Sequence, residues 1–248
     1  MLKREAPAPT LVNRLRARVM TTAGEAIRWS WDQVVSVGAI GPRAPVAHRF
    51  GSFGAGSIIC FPSQTIVNEQ SIHIGAGTTI APYVALSAGW GPGHPDLPDR
   101  VVTIGDRCLI GRGSTVIGHQ SIEIGDDVWT GHYVHITDMN HGYDLVDRPI
   151  SVQNQPEEPV SIGEGSWLGH GVVVLPGARI GRHVVVGANS VVTGEIPDFS
   201  VAVGVPARVI RSFVDGKGWI DARSGLPVDP PVRPPITLVA DHLLAGEA

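Results

Sequence analysis

An aliphatic residue stands at every sixth position over long stretches of this chain, as at Ile162, Leu168, Val174, Ile180, Val186 and Val192, and such a period admits very few folds. The spacing also holds at Ile74, Ile80 and Leu86 and at Ile104, Ile110, Val116 and Ile122; after a two-residue slip it resumes at Ile124, Thr130 and Ile136. Gly follows most of these positions in the longest run. Small side chains such as Ser166, Val172, Ala178, Val184 and Ser190 stand two places before the next aliphatic. An amphipathic helix repeats at 3.6 residues and a strand at two. A period of six therefore fits a short strand with one inward aliphatic, then a turn where Gly permits positive φ. Three such units close a triangular coil. Stacked coils pair their strands at about 4.8 Å and bury a column of aliphatics that no coil could bury alone.

Composition agrees. Of 248 residues 43% are hydrophobic and only 17% charged, with 31 Gly and 20 Pro, which suits short elements joined by tight turns. A net charge of -4 argues against a general nucleic-acid binder. Two cysteines, Cys60 and Cys108, make no disulfide framework and fit a reducing compartment. Cys108 falls at a small-residue position of its hexad and reads as a packing residue. No signal-peptide core is evident at the N-terminus, and the longest uncharged run, Phe50 to Asn68, is studded with Gly, Ser, Pro and Gln. A cytoplasmic location is expected.

Three regions follow. Residues 1–50 lack the sixfold pattern: Thr10 reads as an N-cap, Leu11, Leu15 and Val19 recur at helical spacing, and a second helical segment is expected over Glu25 to Val35. The basic residues and Trp29 and Trp31 allow a membrane-surface helix. The more ordinary reading is a cap packed on the β-helix or on a neighbouring subunit. Residues 51–212 hold the repeat, interrupted by excursions at 89–100 and 138–160. Residues 213–248 read as a Pro-rich extension with ITLVADHLLAG as a short terminal helix.

On these hexads the chain is identified as a member of the hexapeptide-repeat family, which implies a mainly β fold, a left-handed parallel β-helix. The handedness comes from the resemblance, because it contradicts the usual rule for parallel crossovers. The excursion ITDMNHGYDLVDRPISVQNQPEEPVSIGEG resembles the galactoside and maltose acetyltransferase branch, in which a His opens a loop of similar length. His141 occupies the position of that catalytic histidine. An acceptor hydroxyl attacks poorly until its proton is removed, and imidazole, with an ordinary pKa near 6.5, suits that task at neutral pH. Asn140 and Tyr143 share the loop, and Asp138 or Asp144 would orient the ring.

Residues Ser161 to Arg211, closing on GVPARVIR, resemble the same branch along their length. The resemblance implies acetyl-CoA or another short acyl-CoA as co-substrate, with Gly169 and His170 lining the pantetheine groove. Ala188 and Thr193 would meet the pantetheine arm, Trp167 would wall the cleft, and Arg208 and Arg211 would face the phosphates. Gly194 stands where the branch commonly has Lys. In the acceptor region Gly111 and His119 replace an Asn and an acid, so the galactoside pocket is not reproduced and a larger glycan or glycolipid hydroxyl is expected. The resemblance also implies a homotrimer with its sites between subunits. A γ-class carbonic anhydrase is the zinc-dependent rival. That class resembles a lone His followed by a pair with four residues between them, whereas His132 and His135 are three apart and His135 and His141 six apart. No metal is expected. A non-catalytic scaffold is the remaining alternative.

Overall fold

In the computed structural model, which describes residues 10–154 and 156–228, successive short strands fall on three sheets in rotation. One coil illustrates the pattern: Val102–Ile104 joins the first sheet, Leu109–Ile110 the second and Thr115–Gly118 the third, and Ile122–Ile124 then returns to the first. Each strand pairs in parallel with its counterparts in the coils above and below. The result is a three-faced parallel β-helix with three turn-bearing edges. The sixfold aliphatics point inward, and Ile80, Leu86, Ile110, Val116, Leu168, Val174 and Val186 have no exposure. Burying each such side chain is worth about 1.5–3 kcal/mol, so the column gains with every coil added. Thr130 stands in this column because its hydroxyl accepts from the Gly111 amide at 2.8 Å.

The two-residue slip has a local cause. Ile104 pairs with Ile124, twenty residues on, so this coil is two residues longer than three hexads. The extra length lies in the turn at 119–121, whose amides need an acceptor that the hexad pattern does not supply.

Gly after an inward aliphatic does not serve positive φ, contrary to the sequence expectation. A Cβ at Gly163 would lie 2.5 Å from the Gly181 carbonyl carbon, and one at Gly111 would lie 2.1 Å from the Gly131 oxygen. These glycines let coil backbones approach. Positive φ falls two residues later, at Gly165 and Gly171 but also at His183 and Asn189.

Cys108 sits two per cent exposed at the edge between the first and second sheets, where its thiol donates to Gly125 O at 3.1 Å. Burial pushes the thiol up to about 11. In the folded protein at pH 8, iodoacetamide is therefore expected to leave Cys108 unmodified, and to label it only after denaturation. Labelling in the native state at the rate of a free thiol, followed by peptide mass spectrometry, would contradict this placement.

At the N-terminus, one continuous helix, α1 (Leu11–Gly38), replaces the two expected segments; Thr10 Oγ1 accepts from the Asn13 amide at 3.3 Å. None of its residues is buried, so it is not a cap packed on the β-helix. Its last turn approaches the Phe61 ring, which a Cβ at Gly38 would meet at 2.5 Å. At the other end the strand Ser200–Val203 pairs antiparallel with Arg208–Val214, which pairs antiparallel with Gly218–Asp221. A hairpin thus crosses the boundary expected at 212. The prolines beyond Pro227 and the ITLVADHLLAG segment lie outside the described residues.

Candidate active site

Chemistry-bearing side chains gather at the two edges that flank the third sheet. The edge where the third sheet returns to the first carries both excursions and the 119–121 turn. The loop at 138–160 folds back on itself: Asn140 N donates to Pro156 O at 3.0 Å, Gly142 N to Asn154 O at 2.8 Å, and Glu158 N to Asp138 O at 2.8 Å. Gln153, nine per cent exposed, ties the tip. Its Oε1 accepts from Leu145 N at 2.9 Å and its Nε2 donates to Leu145 O at 2.9 Å and Arg148 O at 3.2 Å.

His141 is exposed at the base of this loop, and its amide donates to Asn140 Oδ1 at 3.1 Å. Tyr143 is 75% exposed, and Asp144 is exposed beside it. Asp138 is fully buried and does something other than orient the imidazole. Its Oδ1 accepts from His119 N at 2.8 Å, while Oδ2 accepts from Gln120 N at 2.8 Å and Ser121 N at 2.7 Å. The carboxylate thereby satisfies the turn that the lengthened coil leaves open, and it fixes the loop's first residue to the coil below.

Two acceptor-region expectations change. Gly111 is buried against the next coil, with no room for a side chain. The His119 side chain is five per cent exposed; its ring lies 4.6 Å from the Trp90 ring at 42°, and Nδ1 is 3.4 Å from Glu157 Oε1 without hydrogen-bond alignment. His119 therefore joins the 89–100 excursion to the 138–160 loop from within. Sequence reasoning missed Trp90, Gln153 and Glu157; the one signal was a Trp set among turn residues in GWGPGHP.

The opposite edge of the third sheet, where the second sheet passes into it, stacks Gly169, His170 and Ala188. A Cβ at Gly169 would lie 2.7 Å from Ala188 N, and Asn189 N donates to His170 O at 2.8 Å. The exposed His170 ring meets Tyr133 edge-on at 5.6 Å, and Arg112 lies over Tyr83 at 4.6 Å on the same edge. Trp167 projects outward, 51% exposed, from the second sheet beside Trp129. Arg208 and Arg211 lie on the terminal hairpin, where Arg211 stands opposite Asp221. Thr193 is exposed on the His141 edge, not with Ala188. The His141 loop and the Gly169, His170 and Ala188 stack therefore stand at opposite edges of the third sheet, separated by the length of one of its strands, about 15 Å at 3.3 Å per residue.

The third sheet's outer surface carries His135, whose Nδ1 bonds the Thr115 hydroxyl at 2.5 Å, and desolvation holds this imidazole below its ordinary value. Among the described residues no three His, Cys, Asp or Glu side chains converge as a metal site would need.

Two family models match: "Bacterial transferase hexapeptide (six repeats)" over residues 159–194 and "Hexapeptide repeat of succinyl-transferase" over residues 101–129. A Mycobacterium tuberculosis protein named as an acetyltransferase is 42% identical over 44% of this chain, but the match spans only 36% of that relative's length. WbbJ of Escherichia coli, named for O-acetyl transfer in lipopolysaccharide biosynthesis, is 38% identical over 63% of this chain and 79% of its own. The galactoside O-acetyltransferase of Escherichia coli is 30% identical over 61% and 69%. Among solved structures, AntD, an N-acyltransferase from Bacillus cereus in complex with dTDP and coenzyme A, superposes with a TM-score of 0.57 at 25% identity, covering 67% of this chain and 86% of that one.

Proposed function

Because the chain belongs to the hexapeptide-repeat acetyltransferases, we propose that within this acyl-CoA-dependent class it transfers a short acyl group, most simply acetyl, to a hydroxyl of a glycan or glycolipid precursor in the cytoplasm. In this reading the coils wind left-handed and three copies assemble. The observation that carries it is the pair of half-sites flanking one sheet: the His141 loop at one edge and the Gly169, His170 and Ala188 stack at the other. A second copy supplies the missing half of each site.

The chemistry then follows. His141 takes the proton from the acceptor hydroxyl as its oxygen attacks the thioester carbonyl. A backbone N–H stabilises the oxyanion, the C–S bond breaks, and the imidazolium returns its proton to the departing thiolate. Gly169 keeps the groove floor low enough for a pantetheine arm to lie on the coil backbone. Arg208 and Arg211 offer guanidinium groups to phosphates beyond the last coil. CoA occupies its site as co-substrate, and no resident cofactor is invoked.

The test is thiol release from acetyl-CoA with a panel of hydroxyl-bearing and amino-bearing sugars, free and lipid-linked. Turnover with hydroxyl acceptors supports the reading, as the relation to WbbJ favours. Turnover confined to amino sugars would replace it with N-acyl transfer, the activity named for AntD. A monomer by equilibrium sedimentation at assay concentrations, with full activity, would overturn the shared site.

A further inference from the structure

We propose that α1 is a lipid-binding element that lies along the surface of an anionic phospholipid bilayer, a role the acyl-transfer reading neither needs nor supplies. The helix runs 28 residues, about 42 Å, with none buried. Leu11, Leu15, Val19, Met20 and Val37 are each more than 60% exposed, an apolar surface too continuous to be left to water.

The sequence of the helix says what covers it. At about 100° per residue, Leu11, Leu15, Val19, Ile27, Val34 and Val37 fall within one arc of about 160°. Trp29 falls at one margin of that arc and Trp31 just past the other. Arg14 and Arg28 project from the opposite side with Glu25 and Asp32, and Arg18 stands just outside the arc beside Trp29; inside the arc lie the neutral Thr22, Ser30 and Gln33, and Arg16, whose stem is long enough to carry its charge out. A second copy packed as a coiled coil would need a heptad seam. The seam that starts at Val12 and Leu15 continues through Val19, Thr22, Ala26, Trp29, Gln33 and Ser36, which is polar or small over much of its length. A bilayer surface asks only for a broad apolar face, flanking aromatics and cationic side chains.

Charge points the same way. The four arginines of α1 outnumber its two acids, whereas the whole chain carries -4, so an anionic surface attracts the helix and repels the rest. No helix among the described residues is long and apolar enough to cross a membrane.

The experiment is co-sedimentation of the full chain with vesicles of phosphatidylcholine alone or with 30% phosphatidylglycerol, with no substrate present, so that its outcome is independent of acyl transfer. The expected result is binding to the mixed vesicles at least about tenfold above the neutral ones, since each basic side chain near such a surface is worth about fivefold. Leu15→Glu with Val19→Glu should abolish binding. Arg14→Gln with Arg18→Gln and Arg28→Gln should remove only the preference for phosphatidylglycerol. Absence of wild-type binding, or full binding by the Leu15→Glu/Val19→Glu variant, overturns the proposal. If that variant instead loses a subunit contact by light scattering while the wild type ignores vesicles, the apolar face belongs to a second copy.

Discussion

Replacing His141 by Ala is expected to lower acyl-CoA turnover by about 10²- to 10⁴-fold, the contribution typical of a positioned general base. His141 is exposed on the single chain, so the substitution removes no buried contact and should shift stability by no more than about 0.5 kcal/mol. The Michaelis constant for acyl-CoA should be nearly unchanged, because a general base acts on the acceptor proton in the transition state and adds nothing to ground-state binding of acyl-CoA. Steady-state kinetics beside a denaturant curve checks all three. Unchanged turnover would remove the base from the mechanism, and the fold would then need another proton acceptor near the loop.

Asp138→Ala should do the opposite, destabilising the chain by about 4 kcal/mol. The carboxylate accepts three backbone N–H bonds in a buried turn, and each amide left without a partner costs about 1–3 kcal/mol. Asn in its place keeps one acceptor oxygen and should lose roughly half as much. The readout is the urea midpoint at unchanged slope. If Asp138 served to orient the imidazole, Asp138→Asn would depress turnover and leave stability alone. The hydrogen bonds predict a stability loss first, with activity falling only as the loop comes free.

These two residues show where sequence reasoning holds and where it stops. The column was legible because every coil presents the same environment to its inward residue, so the chain records its geometry eighteen residues at a time. Thr130 and the slip at Ile124 could be seen as departures, but their causes could not be. Each depends on a partner from another coil, Gly111 for the first and, for the second, Asp138, which accepts from the amides of the 119–121 turn. Proximity along the chain misled at Asp138. An acid three residues before a histidine suggests a pair, yet its neighbours in space come from seventeen to nineteen residues earlier. The loop's internal pairing was likewise hidden, because it rests on Gln153 bonding the main chain at Leu145 and Arg148, with no periodic signature. Helix α1 reads as two segments because Thr21, Thr22 and Gly24 are poor helix formers. The structure carries the helix through them.

A stack of identical coils has no inherent length: its last strand offers a row of unpaired backbone groups to any chain with the same repeat, including a second copy. Here the direction of the chain reverses at that point. The hairpin lays Arg208–Val214 antiparallel on the final strand of the second sheet, and Ala207 N and Gly204 O bond both sides of Val191 on the third. An incoming parallel coil therefore meets occupied bonds on two of the three faces. The hairpin acts as a terminator, which keeps a fold built for indefinite growth from becoming a fibre.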